Sequence, residues 1–98
     1  MFEIYWQRLS EITFSEEMTF IFSKWNQFEV DKFSFLVHKN LDRLSTNPFL
    51  GKPINSVYKI VILKQTTLYY KVSESDKRIY LLVFWNNLKN PTDLIKLM

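Results

Sequence analysis

The chain has 98 residues, 47% of them hydrophobic and 17% aromatic, a net charge of +3 and no cysteine. That apolar content excludes a disordered chain, the length allows one domain (1–98) with one core, and the missing thiols exclude a disulfide framework or a cysteine-based zinc site. No apolar run approaches the length of a bilayer crossing and the N-terminus lacks the layout of a signal peptide, so a cytoplasmic protein with no membrane association is expected.

The charge is unevenly spread. Residues 1–51 carry five basic side chains against seven acidic ones, and residues 52–98 carry eight against three. A basic C-terminal half attracts nucleic acid or an acidic protein, and also serves as ordinary solubilising decoration.

Phe2 to Trp6 alternates Phe2, Ile4 and Trp6 against Glu3 and Tyr5 and reads as a first strand. From about Arg8 the period lengthens: Phe14, Met18, Ile21 and Trp25 form one helical stripe, widened by Phe20 and Phe22. This helix contains few strong helix formers and depends on tertiary packing. After a break at Asn26–Gln27, Val30, Phe33, Val37, Leu41 and Leu44 mark a second helix that ends near Ser45 to Asn47. Glu29 and Asp31 in its first turn and Lys39 and Arg43 near its end suit the helix dipole. The short link predicts an antiparallel helical hairpin.

NPFLGKPIN, residues 47–55, reads as turn. Three strands follow in VYKIVIL, TTLYYKV and RIYLLVFW, joined by breaks short enough for an antiparallel meander. In the first of these, Val57, Lys59, Val61 and Leu63 oppose Tyr58, Ile60 and Ile62. In the second, Leu68, Tyr70 and Val72 oppose Tyr69 and Lys71. In the last, Ile79, Leu81, Val83 and Trp85 oppose Tyr80, Leu82, Phe84 and Asn86, and apolar groups on both faces make it a central strand. Asn90–Pro91 stops it, and Thr92 to Met98 forms a turn or two of helix. The expected fold is α+β, in the order β-α-α-β-β-β: a helical hairpin on a small antiparallel sheet with a short C-terminal tail. Val61, Leu81 and Phe14 should share its core, with the first strand at the meander's edge or beside the last strand.

Over essentially its whole length the chain resembles the RelE/ParE superfamily, the toxins of bacterial type II toxin–antitoxin (plasmid stabilisation) modules. The resemblance lies in the strand ending at Trp6, the helix closing at Trp25, and VDKF at the start of the second helix. It continues in LDRLSTNPFLG, VYKIVILKQTTLYYKV and LVFWNNLKNPTDLIKL. It implies a growth-inhibiting toxin neutralised by direct binding of a cognate antitoxin, in a hetero-oligomeric complex. The implied target is a protein such as DNA gyrase, as for ParE, or ribosome-bound mRNA, as for the RelE endoribonucleases. A degenerate member that only binds antitoxin is a further alternative. The chain departs from the family pattern at Tyr58 and Leu88, which replace arginines, at Asn86, which replaces aspartate, and at Lys71, which keeps the charge of an arginine without its planar fork.

If the chain is a ribonuclease, Lys59, Lys71 and Tyr70 are the expected catalytic groups, with Tyr58 or Tyr69 as alternative stacking or proton-passing groups. Ordinary Lys and Tyr keep their protons at neutral pH and are poor bases, which favours the non-catalytic branch. Lys59, Lys64, Lys71, Asn86 and Lys89 are the expected target- or phosphate-binding set, and Phe20 and Phe22 the expected antitoxin contacts. His38 reads as a partly exposed structural histidine, Glu16 and Glu17 as solvated surface, and Trp6, Trp25 and Trp85 as core. No metal-ligand set, cofactor fingerprint or nucleophilic triad is present.

Overall fold

A computed structural model describes residues 1–97. Strand β1 (Glu3–Trp6) leads into helices α1 (Arg8–Lys24) and α2 (Gln27–Thr46), then strands β2 (Lys52–Ile54), β3 (Val57–Leu63), β4 (Thr66–Ser73) and β5 (Arg78–Asn86), and helix α3 (Pro91–Leu97). Met98, the end of the expected tail, lies outside the described residues.

α2 forms as its period requires. The Asn26 side chain accepts from the Glu29 N–H at 3.0 Å and caps its first turn. Val30, Phe33, Val37, Leu41 and Leu44 are all buried, each full burial contributing roughly 1.5–3 kcal/mol. α1 differs from expectation. Its buried face is Ser10, Thr13, Glu17 and Ile21, while Phe14 and Met18 are only partly buried. Small polar residues let α1 lie close on the sheet, where Thr13 Oγ1 accepts from the Phe84 N–H at 2.9 Å and donates to the Leu9 carbonyl at 2.8 Å. Trp25 is not core: α1 stops at Lys24 and leaves this side chain 51% exposed.

The sheet has five strands in the order β1-β5-β4-β3-β2. β2 to β5 run antiparallel to their neighbours, but β1 pairs parallel to β5, with Ile4 opposite Ile79 and Trp6 opposite Leu81. The wholly antiparallel sheet is therefore corrected to a mixed one. Parallel neighbours need a long crossover, and the intervening chain, helical hairpin included, supplies it. β2, expected as turn, is a three-residue edge strand where Pro53 is tolerated, and Asn55 turns the chain back at a φ of 54°.

Two irregularities decide which side chains meet the helices. Tyr69 pairs with Val83 and Tyr70 with Leu81, so Leu82 is an extra residue in β5. This bulge keeps Ile79, Leu81 and Phe84 in the core beneath α1 and α2, and sends Val83 and Trp85 to the opposite face with Tyr69 and Leu94 of α3. A second shift, between Val61 and Leu63, brings Leu63 to the helical core beside Ile62, while Val61, before the shift, stays on the face of Lys59 and is 60% exposed. The expected shared core of Val61, Leu81 and Phe14 does not form. Leu81 and Phe14 join the helical layer, whereas Val61 pairs with Thr67 and lies outside the cluster around α3. Trp6 fills the helical layer, stacked on Phe84 at 5.6 Å and edge-on to Phe14 at 5.3 Å.

Candidate functional site

The face of the sheet turned away from the helical hairpin carries a row of cations. Lys52 on β2 stands opposite Lys59 on β3, and Lys59 opposite Tyr69 on β4. Lys71, two residues beyond Tyr69, shares that face. Like charges directly opposite on neighbouring strands oppose sheet formation. None of the three is ion-paired: among the described residues the ion pair is Arg78 Nε to Glu3 Oε1 at 3.3 Å. Beside this row, α3 and the β2–β3 turn enclose a groove of about 800 Å³. Leu9, Ile54, Val57, Leu82, Leu94 and Ile95 line it, with Tyr69 and Lys71. α3 begins at Pro91, where a missing N–H costs nothing, and Asn90 Oδ1 accepts from the Thr92 N–H at 3.0 Å. It is seated on the sheet by Leu94, its buried residue.

The other expected site residues scatter. Tyr70 is fully buried on the helical side of the sheet. Its hydroxyl accepts from the Gly51 N–H at 2.8 Å and donates to the Pro48 carbonyl at 3.0 Å. Burial pushes its phenol above the ordinary value, against the lowering effect of the Gly51 N–H. It is a structural tie between β4 and the loop after α2. Tyr58 stacks on it at 5.6 Å, on the same side. Asn86 is also buried, its side chain accepting from the Leu88 N–H at 2.9 Å to shape the end of β5. Lys64 is exposed in the β3–β4 turn, and the Lys89 amine sits 5.5 Å over the Trp85 ring. Leu88 is exposed. Tyr69 faces the groove, but burial raises its phenol too, so it keeps its proton at neutral pH.

Two residues escaped sequence reasoning. Lys52 was hidden because its strand reads as turn, and its signal is the KPI segment immediately before a strand. Glu17, expected at the surface, is buried and accepts from Thr66 Oγ1 at 2.6 Å, joining α1 to the start of β4. Glu16 beside it is exposed, as is His38, whose Nδ1 lies 2.8 Å from the Ser34 carbonyl.

Of the expected antitoxin contacts, Phe22 is 56% exposed, whereas Phe20 is half-buried, edge-on to Trp25 at 6.4 Å. The Lys24 amine lies 5.7 Å over the Phe20 ring and 5.6 Å over Trp25. Phe28 and Phe35 extend the exposed aromatic surface along α2. No helix among the described residues is long and apolar enough to cross a membrane.

A scan against protein-family models finds no match to this chain, and neither does a search of curated proteins.

Proposed function

We propose that the chain is the toxin of a type II toxin–antitoxin module, of RelE/ParE type, acting in the cytoplasm and silenced by direct binding of a cognate antitoxin. It works by occupancy rather than by bond breaking, on a protein target such as DNA gyrase. The observation that carries this reading is a cationic sheet face with no proton-transfer set beside it among the described residues. Lys52, Lys59 and Lys71 stand unpaired on that face. Tyr70 and Asn86, the candidates for further chemistry, are instead tied into the fold. A general base needs a pKa near the working pH and reach to its proton; phenols raised above 10 supply neither a base nor an anion at neutral pH. The exposed Phe22 and half-buried Phe20 on the hairpin fit an amphipathic antitoxin helix.

A second reading, a ribosome-dependent mRNA interferase, is favoured by one feature, the Lys52–Lys59 pair with Lys71 beside it. Adjacent ammonium groups suit phosphodiester oxygens and the charge that builds on a phosphorane.

Induction of the chain without antitoxin separates the two. Growth arrest with intact transcripts and blocked gyrase supercoiling supports the first. Transcript cuts in translating ribosomes that vanish in the Lys59→Ala/Lys71→Ala double variant support the second. Unimpaired growth rejects both and leaves a chain that only binds antitoxin. Phe20→Asp and Phe22→Asp should each weaken the antitoxin complex; unchanged affinity in both removes the hairpin as its docking site.

A further inference from the structure

Two adjacent tyrosines on β4 are treated differently by the fold. The Tyr70 hydroxyl is held on both sides, by the Gly51 N–H and the Pro48 carbonyl. Tyr69 is only 8% exposed, yet among the described residues its hydroxyl meets no hydrogen-bond partner, and burial alone acts on its phenol. No side-chain oxygen or nitrogen sealed from solvent lacks a partner among those residues, so this hydroxyl opens into the groove beside α3, whose wall Tyr69 forms. A donor left unanswered inside a cleft calls for an acceptor.

The rest of the groove says which acceptor. Its volume of about 800 Å³ lies in the range of small-molecule sites. Leu9, Val57, Leu82 and Leu94 give it apolar walls. Lys71, two residues along from Tyr69 on the same face, is the one charged side chain among the described lining residues, and it is not ion-paired. Lys59, opposite Tyr69, adds to the positive field, and no carboxylate lines the groove to offset it.

We infer that this groove binds a small amphiphilic monocarboxylate, its head held by the Lys71 ammonium and the Tyr69 hydroxyl and its hydrocarbon chain laid between α3 and the β2–β3 turn. A carboxylate has lone pairs enough to accept from both donors at once, and such charge-assisted bonds are the stronger kind. The chain gains by leaving water for the leucine and valine walls. The protonated phenol is what the head requires, since a phenolate would repel it. The inference does not rest on the toxin reading: binding is measured on the purified chain, growth arrest in cells.

The test is isothermal titration calorimetry at neutral pH with octanoate, octanol, octyltrimethylammonium and acetate. Octanoate should saturate a single site with a dissociation constant below about 1 mM. Octanol should bind about tenfold more weakly, having lost the charged head. Octyltrimethylammonium and acetate, with the wrong head and no tail, should give no saturable heat. Lys71→Met keeps the stem without the charge, and should weaken octanoate about tenfold while leaving octanol unchanged. Tyr69→Phe should also weaken octanoate about tenfold, with a melting temperature equal to or above the parent's, because the oxygen it removes has no partner to lose. Octanoate binding weaker than about 1 mM would overturn the inference. So would octanol or the ammonium amphiphile binding as tightly as octanoate, or either variant binding octanoate like the parent. A lowered melting temperature in Tyr69→Phe would show that the hydroxyl is already engaged within the chain, and would overturn it too.

Discussion

Replacing Tyr70 by Phe tests whether that side chain is a structural tie or a chemical group. The substitution removes one oxygen and leaves the ring stacked on Tyr58. It strips the Gly51 N–H of its acceptor at 2.8 Å and the Pro48 carbonyl of its donor at 3.0 Å. Tyr70, Gly51 and Pro48 are all buried, so neither orphaned group gains full solvation. At roughly 1–3 kcal/mol for each, the upper sum is about 6, but exposed Phe49 lies between Pro48 and Leu50 and water reaches the loop from that side. A loss of about 2–3 kcal/mol follows. In urea, with a slope of about 1–3 kcal/mol/M, the midpoint should fall by roughly 1–2 M at constant slope. Under the proposed toxin function, growth arrest by the molecules that remain folded should be unchanged. A midpoint shift below about 0.3 M, or lost toxicity without lost stability, would return Tyr70 to the active groups and refute the tie.

Gly51→Ala attacks the same tie from the other side. A β-carbon there would meet Tyr70 Oη at 2.6 Å and the Lys59 carbonyl at 2.7 Å, and backbone cannot give way cheaply. Calorimetry should show a destabilisation of about 1–3 kcal/mol, and an unchanged melting temperature would mean that the loop moves freely. Glu17→Ala orphans the buried Thr66 hydroxyl and should cost about 1–3 kcal/mol, with Glu17→Gln, which keeps an acceptor, costing less; equal losses in urea titrations would argue against the hydrogen bond. Stability should also decline in alkali. Burial raises Tyr69 and Tyr70, so the folded state holds these protons more tightly than the unfolded chain. Their contribution is complete below the unfolded value of about 10 and is lost as pH rises from there through the folded values. Tyr69→Phe should flatten the fall seen by circular dichroism above pH 10 (about the unperturbed phenol value); an identical profile would remove Tyr69 as a cause.

α2 was readable because every residue of its stripe is apolar and the break at Asn26–Gln27 separates it from α1. α1 was readable in extent but not in orientation. The side chains at its tightest contacts are Ser10, Thr13 and Glu17, which hydropathy assigns to solvent, while Phe22 and Trp25 stay outside. Alternation predicted β4 correctly, where Leu68 and Tyr70 point to the helices and Tyr69 to α3. It failed halfway along β5, since an inserted Leu82 inverts everything after it and no residue type announces the insertion. Val61 was misplaced for a different reason: alternation put it rightly on the face of Lys59, and that face is not the one the helical hairpin covers. At the candidate site, Lys59 and Lys71 were visible from the pattern, but Lys52 depends on a three-residue strand. The tying of Tyr70 into the fold depends on partners that sequence spacing does not reveal, Gly51 and Pro48, 19 and 22 residues away.

Joining the first strand to the last in parallel has a consequence for biosynthesis. Glu3 to Trp6 are made more than seventy residues before Arg78 to Leu81, which among the described residues are their only strand partner. At about 5–20 residues per second, the nascent chain waits several seconds or more with that segment unmatched. That edge of the sheet therefore closes only after Arg78 to Leu81 have been made, so until then β1 has its backbone donors and acceptors unmatched.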